Sequence, residues 1–229
     1  MSMNDELPIK STFKAYDIRG VVGSELTPPI VKKIGQAIGT MALSQNQKTI
    51  CVGYDGRLSS PTLSSTLIDG LLSTGIDVIN IGLCTTPMLY FSTFHQATGT
   101  GVMVTGSHNP PEYNGFKIVV NEKTLFSDDI QTLYKAILNS NYLKGKGKER
   151  SLSIKSDYLD EISNSIKLKR PMRVAIDCGN GAGGVCAEEL FKKLGVETEP
   201  LFCDVDGNFP NHHPDPSNPK NLLDLKNAL

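Results

Sequence analysis

Ser107 and His108 sit side by side in Thr105-Gly106-Ser107-His108-Asn109-Pro110, with Lys117 a short way downstream. A hydroxyl, an imidazole and an ammonium in one stretch suit phosphoryl chemistry. The hydroxyl takes the group, and the cations offset its charge of roughly −1.5 to −2. The apolar run Gly101-Val102-Met103-Val104 precedes the hexapeptide, and a strand-like run over 116–120 follows it. The serine is therefore expected on a loop between two strands. Gly106 lets the backbone bend, and Pro110 and Pro111 stiffen the exit. The plain alternative is a polar turn. A serine hydrolase is disfavoured, because a histidine next to the serine is poorly placed to reach its hydroxyl as a base. There is also no Gly-x-Ser-x-Gly elbow.

Other segments offer competing chemistry. Arg19, in Tyr16-Asp17-Ile18-Arg19-Gly20, reads as a charge on a glycine turn, and Lys117 as a strand lysine facing water. Gly179-Asn180-Gly181-Ala182-Gly183-Gly184 fits the spacing of a dinucleotide-binding turn, and Glu197 and Glu199 follow at a distance suited to a ribose contact. A non-catalytic dinucleotide-binding module is thus a rival; a tight strand-to-helix turn is the ordinary reading. Asp204-Val205-Asp206-Gly207-Asn208 has its glycine too early for a calcium loop and reads as a turn. His212-His213-Pro214-Asp215 matches no zinc spacing. These histidines are expected to be solvated loop residues lining a domain interface.

The elements that must hold these groups follow an α/β pattern. Thr27 and Pro28 open a helix as N-cap and first helical residue, with Ile30, Val31, Ile34, Ala37, Ile38 and Met41 on one face. Residues 50–54 read as a strand, and Asp55-Gly56-Arg57 turns the chain. Ser60-Pro61 opens a helix carrying Leu63, Leu67, Leu71 and Leu72. Residues 76–81 read as a strand and 127–138 as a helix. Lys144-Gly145-Lys146-Gly147-Lys148-Glu149-Arg150 reads as a flexible linker. It divides the chain into residues 1–150 and 151–229. Beyond it come a helix over 156–166, a strand over 173–177, a helix over 185–194 and a helical segment over 221–229. No cap glycine or strand follows that last segment, so the second unit reads as cut off. The order strand, Asp-containing glycine turn, helix, glycine, strand occurs twice. This weak internal repeat predicts mixed sheets covered by helices.

Composition limits the function. The chain has 229 residues, a formal net charge of −1 and a pI near 6.4, which leaves no broad nucleic-acid surface but allows a local basic pocket. With 39% hydrophobic and 21% charged residues it should fold as a soluble globule. No run approaches the ~20 apolar residues of a membrane span. The first ten residues include Asp5 and Glu6 and lack a signal-peptide core, so no membrane association and a cytoplasmic location are expected. Five cysteines without a Cys-x-x-Cys pair are expected to be buried, reduced thiols.

Three segments occur in order: Phe13-Lys14-Ala15-Tyr16-Asp17-Ile18-Arg19-Gly20, the serine hexapeptide with Tyr113-Asn114-Gly115-Phe116-Lys117, and the stretch from Asp204 to Pro216. Together they make the chain resemble the α-D-phosphohexomutases, in particular the bacterial phosphomannomutase/phosphoglucomutase group, over essentially its whole length. The resemblance implies successive α/β domains, the first holding the phosphoserine loop. It implies an isomerase-class phosphotransferase that interconverts hexose 1-phosphate and hexose 6-phosphate, of mannose or glucose, through an enzyme phosphoserine and a bisphosphorylated sugar. Ser107 would be the carrier, with a magnesium ion on its phosphate. Lys117 would donate or accept a proton or stabilise charge, and His108 would orient the loop or contact substrate. Tyr16, Arg19, His108, Asn109 and Lys117 would bind the phosphorylated hexose. Glucose 1,6-bisphosphate or mannose 1,6-bisphosphate would be the activator. The family's Asp-Gly-Asp-x-Asp-Arg metal loop and its sugar-recognition segments do not occur in these 229 residues. The expectation is a truncated, poorly active or inactive fragment whose partners are the C-terminal domains of its parent.

Overall fold

The computed structural model describes residues 6–229; Met1 to Asp5, the start of the segment read as no signal peptide, lie outside the described residues. The first unit contains β1 (Ile18–Val21), α1 (Pro28–Ser44), β2 (Thr49–Tyr54), α2 (Ser60–Leu72), β3 (Asp77–Leu83) and α3 (Thr86–His95). It continues with β4 (Gly101–Val104), β5 (Tyr113–Val120), β6 (Lys123–Thr124), α4 (Asp128–Leu138) and β7 (Glu149–Ser151). The second unit holds α5 (Lys155–Ser165), β8 (Arg173–Asp177), α6 (Ala187–Lys193), β9 (Glu197–Leu201) and α7 (Leu223–Asn227).

One mixed sheet runs β1-β5-β4-β2-β3-β7, with β6 beside β5. Strands β4, β2, β3 and β7 are mutually parallel, and β5 is antiparallel to β1, β4 and β6. Alternation along the strands sorts the core into two layers. Ile50, Val52, Val102 and Val104 join one apolar cluster with side chains of α1, α2 and α4. Cys51, Ile79, Ile81 and Met103 join the other with Met88 and Leu89 of α3 and Leu159 of α5. Helices therefore cover both faces, as the α/β reading requires. Helices α1 and α2 meet where both carry glycine. A Cβ on Gly35 would lie 2.3 Å from the Leu67 carbonyl oxygen, and one on Gly70 2.2 Å from that of Lys32.

In the second unit β8 and β9 form a parallel pair, like β2 and β3, and a glycine-containing turn follows each leading strand. The repeat read in the sequence thus has a structural counterpart.

Several local expectations are corrected. Thr27 occupies the N-cap of α1 but makes no capping bond; its hydroxyl donates to Glu6 Oε2 at 2.7 Å instead. Arg19 lies within β1, not on a glycine turn. Helix α3 had no counterpart in the sequence reading. Residues 144–150 do not form a free linker. The Gly145 and Gly147 amides donate to the Ser73 and Leu72 carbonyls, each at 2.9 Å, and the Lys148 amide to Asp77 Oδ1 at 2.7 Å. The chain then enters β7. Helix α6 starts at Ala187, after a 3-10 turn over Ala182–Val185. Cys51, Cys84 and Cys186 are buried, whereas Cys178 and Cys203 are only half-buried, their sulfurs 3.4 Å apart. Among the described residues, no helix is long and apolar enough to cross a membrane.

Candidate active site

The parallel strands β2, β3 and β4 end on one side of the sheet and deliver Asp55, Thr85 and Ser107 there. That is the side on which open α/β sheets bind ligands. Ser107 is exposed and has a φ of 53°, in the left-handed region. Such a conformation in a non-glycine residue costs about 1–3 kcal/mol and persists only where its surroundings enforce it. Here they do. The Ser107 amide donates to Thr105 Oγ1 at 2.9 Å, the Gly106 amide to Asp55 Oδ2 at 3.2 Å, and Asn109 Nδ2 to the Gly106 carbonyl at 2.9 Å.

The largest constraint is Arg57, a residue the sequence had offered only as part of a turn. It is 2% exposed. Its Nη1 donates to the carbonyls of Pro110 (2.7 Å) and Tyr113 (3.2 Å), and its Nη2 to those of Ser107 (2.9 Å) and Asn109 (2.6 Å). Its Nε faces Asp55 Oδ2 at 3.5 Å. Burial lowers the pKa of the guanidinium, and the Asp55 charge opposes that shift. A Cβ on Gly106 would fall 2.3 Å from Arg57 Nε, so glycine is required for the clamp to close.

His108 Nδ1 lies 3.4 Å from Ser107 Oγ. The sequence reading held His108 to be poorly placed as a base for its neighbour; with Ser107 in the left-handed region, the imidazole nevertheless comes within this distance of the hydroxyl. Arg19 pairs with Gly115 across β1 and β5, so Lys117 is its diagonal neighbour on the same face. Asp17 holds both, bonding Arg19 Nη2 and standing 3.9 Å from Lys117 Nζ. Tyr16 is 75% exposed beside them. The structure thus unites Ser107, His108 and Asn109 on one loop, and Arg19 with Lys117 through a carboxylate the sequence had not singled out.

A cavity of about 200 Å³ opens between the units, with Arg57, Thr86 and Ser107 on one wall and Gly181, Gly183 and Phe209 on the other. A larger one of about 620 Å³ lies at the opposite strand ends, near Lys48, Asp77 and Arg150, and contains none of the candidate residues.

The family model for phosphoglucomutase/phosphomannomutase alpha/beta/alpha domain I matches residues 10–144, and that for domain II matches residues 156–229. This chain belongs to the phosphoglucomutase/phosphomannomutase family. It is 49% identical over 223 residues to the phosphoglucomutase of Neisseria meningitidis serogroup B, a match covering 96% of this chain and 48% of that protein. It is 48% identical over 215 residues to the phosphomannomutase/phosphoglucomutase of Pseudomonas aeruginosa, covering 94% and 46%. A crystal structure of a family protein from Burkholderia thailandensis superposes with a TM-score of 0.92 at 43% identity, over 96% of this chain and 50% of that one. The chain spans about half the length of the curated relatives it matches.

The family reading leaves the dinucleotide-binding alternative without support. Residues 181–183 of the glycine-rich segment line the cavity, and the second half of that segment forms a 3-10 turn over Ala182–Val185 before α6 begins at Ala187. Segment 204–208 is a turn, as read: the Asn208 amide donates to Asp206 Oδ1 at 2.9 Å. His212 is not solvated; its side chain is 15% exposed and its Nε2 meets both oxygens of Asp177, at 3.1 and 3.0 Å. Magnesium finds no cradle here. Among the described residues no group of three His, Cys, Asp or Glu side chains is placed to hold a metal. The carboxylate lining the cavity, Asp55, already accepts from Ser60 Oγ and the Arg57 and Gly106 amides. Ser107 would add one oxygen ligand, from its hydroxyl or from a phosphate on it, which by itself is not enough for the ion. The residues present do not fit the ion.

Proposed function

We propose that this chain carries the phosphoryl-accepting serine of a phosphohexomutase that interconverts hexose 1-phosphate and hexose 6-phosphate, of mannose or glucose, through a bisphosphorylated sugar. Residues 1–150 form the carrier unit and residues 151–229 the facing unit. The observation that carries this reading is the exposed Ser107 hydroxyl on a left-handed turn, backed by an arginine clamp and met by His108 Nδ1.

In one half-reaction the bond from Ser107 Oγ to phosphorus breaks and one from phosphorus to a sugar hydroxyl oxygen forms. The sugar hydroxyl passes its proton to the neutral His108 imidazole as the new bond forms, and Ser107 Oγ ends protonated. His108 Nδ1 is within reach to return that proton. The second half-reaction reverses these bonds at the other end of the sugar. Lys117 and Arg19, oriented by Asp17, supply positive charge to the substrate phosphate, with exposed Tyr16 next to Asp17 and Asn109 on the serine loop as further contacts. Positioning and charge compensation, more than side-chain reactivity, govern such a transfer.

Incubation with glucose 1,6-bisphosphate followed by phosphopeptide mapping tests the reading. Phosphate is expected on Ser107 and absent from Ser107→Ala. Phosphate on another residue, unchanged in that variant, would overturn it.

A further inference from the structure

The segment 204–214 belongs to the second unit, yet it lies across the turn 55–58 and the serine loop of the first. A Cβ on Gly56 would come within 2.3 Å of Val205 Cγ1, and one on Gly207 within 2.6 Å of the Leu58 amide nitrogen. The Phe209 ring centre stands 5.5 Å from Arg57 Cζ, on the guanidinium that clamps the loop. His213 Nε2 is 2.8 Å from the His108 carbonyl oxygen. At its base the segment is tied to Asn180, whose Nδ2 donates to the Asp204 carbonyl (3.0 Å) and whose Oδ1 accepts from Asn211 Nδ2 (2.8 Å).

His212 sets the position of His213. Its Nδ1 is 3.0 Å from the His213 carbonyl oxygen, and its Nε2 faces the Asp177 carboxylate. Both ring nitrogens thus face acceptors, which the imidazolium satisfies with two donors. A continuous path leads from the end of β8 through His212 and His213 to the backbone of His108.

We propose that segment 204–214 is a strap, and that His213 is a positioning residue for the reaction at Ser107. By donating Nε2–H to the His108 carbonyl it holds the His108 imidazole beside the serine hydroxyl and joins the second unit to the loop. Burial opposes the charge on His212, but the His213 carbonyl, Asp177 and the more distant charge of Asp224 outweigh it, so its pKa is raised. Around His213 the titratable neighbours are His108 of the serine loop and Asp215 just beyond the strap. The Phe202 ring closes the remaining side of His212.

The role in catalysis rests on Ser107 being the acceptor; the strap itself does not. The test compares wild type with His213→Met, similar in size without a donor, and His213→Gln, which keeps one. Amide hydrogen exchange over 105–109 and the rate of Ser107 labelling by glucose 1,6-bisphosphate are read on the 229-residue chain. Loss of one hydrogen bond should speed loop exchange roughly threefold to tenfold in His213→Met, with labelling slowed, and His213→Gln should recover much of both. Loop exchange equal in all three proteins would overturn the strap. Altered exchange without labelling in wild type would leave the strap standing and remove the phosphoserine reading.

Discussion

Arg57 commits both terminal nitrogens of its guanidinium to four carbonyls of the serine loop. A lysine has one point-like ammonium and cannot reproduce that fork. Arg57→Lys should therefore lower the rate of Ser107 labelling by on the order of 10²-fold, the cost of a misplaced reacting group, while the chain still folds. Arg57→Ala leaves Asp55 buried without its ion partner and should cost about 3–5 kcal/mol in urea unfolding. Ser107→Gly removes the left-handed strain together with the hydroxyl, so it should melt no lower than Ser107→Ala and take no label. Ser107, His108 and Lys117 could be proposed from the sequence because they are close together and would carry the chemistry in their side chains; the structure places Ser107 and His108 on one exposed loop and Lys117 on β5. Arg57 was not legible, because its role is set by carbonyls from a distant segment, which leave no trace in residue type. The only local sign was a charged turn at the end of an apolar strand. Asp17 was hidden in the same way: it meets Arg19 and Lys117 only because strand pairing brings those two side chains onto one face.

The elements that carry the site are held by close approaches between backbones. Gly70→Val would drive a side chain into α1 and should destabilise the chain by about 1–3 kcal/mol or more, read as a lower denaturant midpoint. The segment 144–150, though rich in lysine and glycine, is bonded to the end of α2 and then to β3. Trypsin should cut first at Lys167 or Lys169, which are exposed and outside any helix or strand. First cleavage within 144–150 would show that those backbone bonds open readily. Most helices and central strands were legible from apolar periodicity. Helix α3 was missed because Ser92 and Thr93 interrupt its apolar face. They are buried all the same, since their hydroxyls donate to the Leu89 and Tyr90 carbonyls at 2.7 and 2.8 Å. The start of α3 was readable: Thr85 caps the Met88 amide and Pro87 lies in the first turn.

At the scale of the molecule, two units face each other across the Ser107 cavity, and their contact should depend on pH. Folding raises the proton affinity of His212. Its stabilising contribution is therefore complete below the ordinary histidine range and lost as pH rises through the raised folded value. The melting temperature should fall over that window in wild type and less in His212→Phe. We also expect the 229-residue chain to accept phosphate on Ser107 without turning over glucose 1-phosphate at an enzyme-like rate. Losing one well-placed electrostatic group costs about 10²–10³ in rate, and the residues described build no metal cradle. A coupled assay for glucose 6-phosphate measures this. Turnover within tenfold of the Neisseria phosphoglucomutase would show that these residues suffice.

Strand β7 is only Glu149-Arg150-Ser151, all three exposed, yet it lies along β3, and the Leu152 amide extends the contact to the Asn80 carbonyl at 2.9 Å. A rim so short and charged offers little for another chain to pair with. Without it the rim would be β3 itself, with Val78, Ile79 and Ile81 along an open row of amides and carbonyls. A chain cut after Lys144, where the match to the first family domain stops, should then self-associate as its concentration rises. One cut after Ser153, which keeps β7 and loses α5 from that core face just as the shorter chain does, should self-associate less. Light scattering on the two shortened chains separates these outcomes, and monomers in both would mean that β3 needs no cover.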